Sequence, residues 1–416
     1  MQADIVIVGG GLAGLSAATE VAIHSRASIV IVEHHGLGSN RTTPMTFADV
    51  PGRFGLEDCV IGRYRRFSFH SPLGNRSTHA FETVPLVALA YRQACETLFK
   101  RASSAGHVSV VSATASRLVR HDRRWRMALS DGQVLDTPLV IDASGRGLFA
   151  SRVFGLEQPK EYSHCYGVRL SQCRVPDPDE AIFLAPCRVY GSGGGWLYPL
   201  DGNQASFGYA TLGRTPVWPG DVVKANLKRA LTEFEPYAAW LKGAVQEQIE
   251  TGTIPIYPLR RFVYDGLLIA GDAAGQATIW SCMGSEAALT AGQLAGEAAV
   301  HALRSGDFGV RTLSLYQANW DQCYRRTYQH NAWISPVVWS MSEEEWNQQI
   351  PLTQKLTPDQ MVARLRTNWP VPTMTQAVFV RAYDVAGRAR RGLMRRLRAG
   401  LSFQHTGAKP AKRSED

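Results

Sequence analysis

The chain of 416 residues is long for one simple domain, and with 45% hydrophobic and 19% charged residues it can bury a large core, which excludes a disordered or fibrous polymer. Its formal net charge of +9 is concentrated: residues 381–413 hold ten Lys or Arg against the single acid Asp384, so the rest is balanced at 35 bases and 35 acids. Seven scattered cysteines without a C-x-x-C pair exclude a complete disulfide framework and argue against zinc or iron–sulfur sites, and no stretch reaches the roughly 18 to 20 uninterrupted apolar residues of a spanning helix.

The N-terminus runs Met1-Gln-Ala-Asp4 straight into a strand, without the basic and apolar regions of an export signal, so the cytoplasm is the expected location. Ile5-Val-Ile-Val8 reads as a fully buried strand, Gly9-Gly-Gly11-Leu12-Ala13-Gly14 as a glycine turn, and residues 15–23 as a helix. This order forms a dinucleotide cradle. Gly9 permits the turn, Gly11 lets the backbone approach a pyrophosphate, and Gly14 lets the helix pack on the strand, while the helix N-terminus attracts phosphate oxygens. The next strand, residues 28–32, ends at Glu33, where a carboxylate can accept from ribose hydroxyls.

After a loop-like stretch at 36–44 and a polar, aromatic region around Arg63 to Phe69, residues 86–104 read as a helix. Strands are expected at 108–113, 115–119 and 125–130, with a turn at Asp131-Gly132, and Leu139-Val-Ile-Asp142 closes the first cofactor-binding section. Residues 164–212 look mainly β, 221–250 helical, 254–259 and 266–270 again β, and 287–303 helical. In the basic segment Val385, Ala389, Leu393, Leu397 and Leu401 recur every four residues, so a helix there would carry one apolar stripe among arginines. That pattern suits an anionic membrane surface or an acidic partner, or else packs on the body with its charges solvated; nucleic acid is not expected, because no binding motif accompanies the charge. The ending, 401–416, is expected to be a disordered tail.

Two further motifs accompany the cradle: Asp142-Ala-Ser-Gly145, and Gly266-Leu-Leu-Ile-Ala-Gly271-Asp272-Ala-Ala-Gly275. In their order and spacing, from about residue 3 to 303, the three elements resemble the FAD-binding family of aromatic-ring hydroxylases, epoxidases, flavin halogenases, geranylgeranyl reductases and lycopene cyclases. The resemblance implies an α/β fold in which a Rossmann-type FAD-binding domain (1–165 and 253–310, interrupted by substrate-domain segments around 40–85) interleaves with a mainly antiparallel β substrate domain (166–252). A helical region would follow at 311–400. It implies FAD as cofactor, held by Gly9, Gly11, Leu12, Ala13, Gly14, Glu33, Asp142, Gly145, Gly271, Asp272 and Gly284. Asp272 would accept from a ribityl hydroxyl, and Gly284 would open a helix facing the pyrimidine end of the flavin.

Gly271 to Gly275 and Gly284-Ser-Glu286 are similar to the reductase and cyclase branch, and Gly195-Trp-Leu-Tyr-Pro199 to a substrate strand of geranylgeranyl reductases. Ring hydroxylases usually carry His where Gly275 stands. The paired glutamates of lycopene cyclases are missing from Gln204-Ala-Ser-Phe-Gly-Tyr-Ala210, and the first lysine of the chain is Lys100, which departs from the halogenases. No second dinucleotide module is visible, so electrons would come from NAD(P)H visiting the flavin or from a partner reductase.

The leading expectation is a monooxygenase that hydroxylates or epoxidises a hydrophobic or aromatic metabolite through a flavin C4a-hydroperoxide, with Trp196, Tyr198 and Trp280 as candidate pocket walls. The alternative is an isoprenoid reductase or lycopene-cyclase-like enzyme at a membrane surface, with Glu286 as the candidate acid against its plainer role as a helix-start carboxylate. A third reading is a non-catalytic flavoprotein, and Cys282 would be a point of covalent attachment only if it were more than a small buried residue.

Overall fold

A computed structural model describes residues 1–278 and 281–366. Ile5–Val8 is apolar on both faces and wholly buried, as befits the middle of a parallel sheet covered on both sides. It pairs in parallel with Ser28–Val32 and Leu139–Asp142. With His107–Val111, Leu267–Ile269 and the edge strand Val263–Tyr264 these make a six-stranded sheet in which only the edge pair is antiparallel.

The helix Leu12–His24 packs on Tyr91–Ala105 and on the long helix Ser285–Ser305. The last contact is very close: a Cβ on Gly292 would lie 2.2 Å from the carbonyl oxygen of Ala13, and the Ser16 hydroxyl donates to the Leu289 carbonyl at 2.7 Å.

The second large layer is a seven-stranded sheet ordered Val245–Ile256, Glu161–Ser171, Gln204–Gly213, Gly195–Leu200, Glu180–Leu184, Arg66–His70 and Arg76–Ala80. All pairs are antiparallel except Glu180–Leu184 with Arg66–His70. One face buries Val168, Leu170, Phe207 and Tyr209 against the helix Asp221–Glu233 and the residues after it. The other face looks towards the nucleotide sheet and carries the candidate site.

Several elements differ from expectation. Residues 86–104 split into a strand, Leu86–Leu89, and the helix Tyr91–Ala105, because a four-residue apolar run serves either element until a neighbouring strand claims it. The helix expected over 221–250 ends at Glu233, and Val245–Ile256 is a strand. The expected domain boundaries at 165 and 252 fall inside strands Glu161–Ser171 and Val245–Ile256, while strands Arg66–His70 and Arg76–Ala80 join the seven-stranded sheet. Helices Val310–Val338, Glu343–Thr353 and Pro358–Leu365 follow; the last two each open with a reciprocal capping box, Ser342 with Glu345 and Thr357 with Gln360. The amphipathic basic stripe lies outside the described residues.

Candidate functional site

The glycine turn is built as its sequence requires. Gly9 has φ +109°, and a Cβ there would lie 2.2 Å from the carbonyl oxygen of Ala143; at Gly14 it would lie 2.1 Å from the carbonyl oxygen of Gly9. Gly11 caps the helix without a side chain, so the first-turn N–H groups of Leu12 and Ala13 keep their capacity for an anion. Glu33 accepts from the Gly10 N–H at 2.9 Å and the His35 N–H at 2.8 Å, which fixes its half-buried carboxylate at the end of the strand beside the turn. Tyr91, which no sequence motif singles out, brings its hydroxyl against Gly11: a Cβ there would meet it at 2.9 Å.

Asp142 takes a scaffold role instead of a ligand-facing one. It is fully buried, and its carboxylate accepts from the Ser144 N–H at 3.0 Å and the Ala150 N–H at 2.7 Å, holding the turn in which Gly145 sits at φ +60°. Burial raises its pKa in spite of those bonds. Asp142→Ala is therefore expected to destabilise the fold by about 3 kcal/mol, because two buried N–H groups lose their acceptor; urea unfolding reads this directly.

Asp272 is different. It follows Gly271 in the tight turn Gly271–Ala274, is half-buried, and its carboxylate has no hydrogen-bond donor or cation among the described residues. Burial alone raises its pKa to about 7. Tyr91, Cys165, Cys282 and Tyr328 all feel its charge, so residues from four separate segments lie within electrostatic reach of it. Gly284, the bare N-cap of Ser285–Ser305, adjoins it: a Cβ there would be 3.5 Å from Oδ1. An orphan acceptor next to two uncapped helix starts suits a dinucleotide whose hydroxyl donors and phosphates lie between them.

Glu286 does not serve as a free acid. It pairs with Arg53 at 2.9 Å and with Arg366 at 3.0 Å, and Arg366 also holds Asp49 at 2.7 Å, so the carboxylate ties the helix start to segments distant in sequence. Glu286→Ala is expected to cost about 1 kcal/mol of stability and to change turnover less than about threefold. Thermal unfolding and steady-state rates check the pair.

Tyr198 lines an apolar cleft with Met45, Phe67, Phe69, Phe183 and Leu365, closed by Ser281 and Met283. Trp196 lies beside it with ring centroids 6.4 Å apart and donates from Nε1 to the Ser206 hydroxyl at 2.9 Å. Trp280 lies outside the described residues. Cys282 adopts φ +53°, and burial pushes its thiol up to about 11, which disfavours the thiolate. Cys165, on the facing sheet, is pushed up by burial to about 12.

Residues 4–332 match the family model described as lycopene cyclase protein. Among curated proteins, the chain is 27% identical to a digeranylgeranylglycerophospholipid reductase of Methanopyrus kandleri, over 83% of this chain and 89% of the relative. It is 25% identical to the enzymes of that name from Methanothermobacter thermautotrophicus (83% and 90% covered) and Methanocaldococcus jannaschii (82% and 88%). Among solved structures, a geranylgeranyl bacteriochlorophyll reductase-like protein from Thermoplasma acidophilum superposes with a TM-score of 0.78 at 17% identity, over 88% of this chain and 95% of that one. A flavin-dependent brominase follows with a TM-score of 0.70 at 14% identity, covering 94% and 100%. The architecture is shared with these two structures.

Proposed function

The chain belongs to the lycopene cyclase protein family, and from that premise we propose that it is an FAD-dependent oxidoreductase that saturates double bonds of an isoprenoid substrate. The observation that carries this reading is the near full-length match to digeranylgeranylglycerophospholipid reductases. The cleft agrees with it, being walled by Met45, Phe67, Phe69 and Phe183, side chains suited to hydrocarbon. Oxygenation, the leading expectation from sequence, is supported more weakly. Hydroxylases and halogenases match as folds at 14–17% identity, whereas the relatives in sequence are reductases.

Gly11, Leu12 and Ala13 would meet the pyrophosphate, Glu33 the adenosine ribose, and Asp272 with the Gly284 helix start the ribityl and pyrimidine ends. When bound, the flavin supplies a hydride to one carbon of the double bond. The protein's own contribution is to exclude water, align the hydrocarbon on the Phe67, Phe69 and Phe183 wall, and deliver the accompanying proton. The cleft measures about 30 Å³, roughly the space of one water, so an isoprenoid chain would need its lining side chains to repack. Electrons would reach the flavin from NAD(P)H or a partner reductase. Among the described residues no helix is long and apolar enough to cross a membrane, so contact with lipid-borne substrate would be peripheral.

Anaerobic incubation of flavin-reduced protein with a geranylgeranyl lipid is the test. Reoxidation of the flavin with gain of two hydrogens per double bond supports reduction. Substrate isomerised without flavin oxidation indicates cyclisation, and turnover that starts only when oxygen is admitted returns the oxygenase.

A further inference from the structure

Far from the phosphate cradle, a cleft of about 230 Å³ opens beside the strand Leu267–Ile269. One wall belongs to a small antiparallel sheet of Ala115–His121, Arg124–Leu129 and Val134–Thr137, the other to the Val263–Tyr264 edge of the nucleotide sheet. Gly9, Glu33, Asp142 and Asp272 stand at or beyond the C-terminal ends of their parallel strands, whereas Leu267 begins one. The cleft and the candidate flavin site therefore lie at opposite ends of that sheet.

Two arginines are held ready in it. Arg120 is the cross-strand partner of Trp125, and its guanidinium lies over the indole, 5.2 Å from the ring centroid. The indole is itself pinned, because Nε1 donates to the Gly266 carbonyl at 2.7 Å, and Arg120 Nη1 bonds the Asp265 carbonyl. On the other wall Arg261 lies 4.4 Å from the Tyr264 centroid and donates from Nε to the Val263 carbonyl at 2.9 Å. Each guanidinium has a ring against one face and a backbone carbonyl on one edge, and among the described residues neither forms an ion pair. A planar fork fixed in this way loses little freedom when a carboxylate arrives.

Shape and charge narrow the ligand. Phe154, 37% exposed, sets its ring 5.5 Å from that of Trp125, and Leu156 and Leu267 complete an apolar floor. An apolar cavity of about 150 Å³ holds benzene, so this volume admits an aromatic ring with a substituent. The remaining charge in the lining is Asp265, whose carboxylate is engaged by the Val310 N–H at 2.7 Å. Two cations against one anion leave a single positive charge, and the nearby Glu157 and Arg260 pair at 3.7 Å and cancel. That balance suits one negative charge, whereas a doubly charged phosphate would be pressed against Asp265.

We propose that this cleft is a second small-molecule site, for an aromatic monocarboxylate whose ring enters against Trp125 and Phe154 and whose carboxylate is gripped by Arg120 and Arg261. The site is built without any group that flanks the candidate flavin site, so it stands whichever reaction the flavin performs.

Calorimetric titration of the flavin-loaded full chain with 2-naphthoate at neutral pH tests this. One equivalent is expected to bind with a Kd of about 1 mM or tighter, with the yellow colour retained. Arg261→Met keeps an apolar stem over Tyr264 and should weaken binding at least tenfold, the worth of a charge-assisted hydrogen bond. Arg120→Met should do the same, and because both arginines are exposed either variant suffices if the other does not fold. The neutral 2-naphthylmethanol should bind at least tenfold more weakly than the carboxylate, and 2-naphthyl phosphate no more tightly. The proposal is overturned by absence of saturable binding up to several millimolar, by affinity unchanged in the folded arginine variants, by equal affinity for the alcohol, by preference for the phosphate, or by release of flavin as 2-naphthoate binds.

Discussion

Gly14→Val is expected to abolish flavin binding and to lower stability by about 3 kcal/mol or more. The first side-chain carbon alone would sit 2.1 Å from the Gly9 carbonyl oxygen and 3.2 Å from Ile7 Cγ2. Neither neighbour can yield: the first is backbone at φ +109°, and the second belongs to a strand buried on both faces. The helix Leu12–His24 must therefore lift off the sheet, and its N-terminal N–H groups move away from the pyrophosphate they would meet. Purified protein should be colourless, and a thermal melt should show the shift.

The second large effect is a pH dependence centred on Asp272. Its pKa in the flavin-free fold is raised to about 7, well above the value near 4 of an unfolded chain. The native state thus binds a proton more tightly than the unfolded state between these values, and stability falls as pH rises. This contribution is fully present below about pH 4 and lost as pH passes 7, and it amounts to a few kcal/mol at most. Asp272→Asn should remove the dependence, leaving urea midpoints at pH 5 and pH 8 closer together than in the wild type. Flavin should bind with the opposite sign, because a ribityl hydroxyl donates best to the ionised carboxylate: affinity should rise with pH and binding should release a proton. Asp272→Ala should weaken the complex about thirtyfold, the value of one charge-assisted hydrogen bond, as read by fluorescence titration.

What the sequence disclosed was local. The cradle from Ile5 to Gly14 needs only the order strand, turn, helix, and every constraint on it acts within a few residues. Asp272 was singled out through the resemblance, and it does follow an apolar strand in a tight glycine turn. The burial of Glu250, 3% exposed, was hidden for a physical reason. Val245–Ile256 is an edge strand, and its start, Val245-Gln-Glu-Gln-Ile-Glu250, is largely exposed on both faces until Glu250 itself, so it shows no two-residue alternation and reads like a helix surface. Glu286 misled for a related reason: its partners Arg53 and Arg366 stand 233 and 80 positions away, and nothing near residue 286 announces them. For Asp142 an Asp after a strand allows either a ligand contact or a turn-stabilising role, and its two backbone donors, Ser144 and Ala150, close around it in the second.

The contact between Leu12–His24 and Ser285–Ser305 also fixes an order of events during synthesis. The two helix starts that flank the candidate flavin site are locked together by Gly292 against Ala13 and by Ser16 on Leu289, positions separated by 273 residues in the second case. A ribosome-bound chain therefore owns the phosphate cradle early but cannot complete the flavin site until roughly three-quarters of it has emerged. Completion of the site waits for Ser285–Ser305, and a chain interrupted before Ser285 would leave the small-residue face of its first helix uncovered.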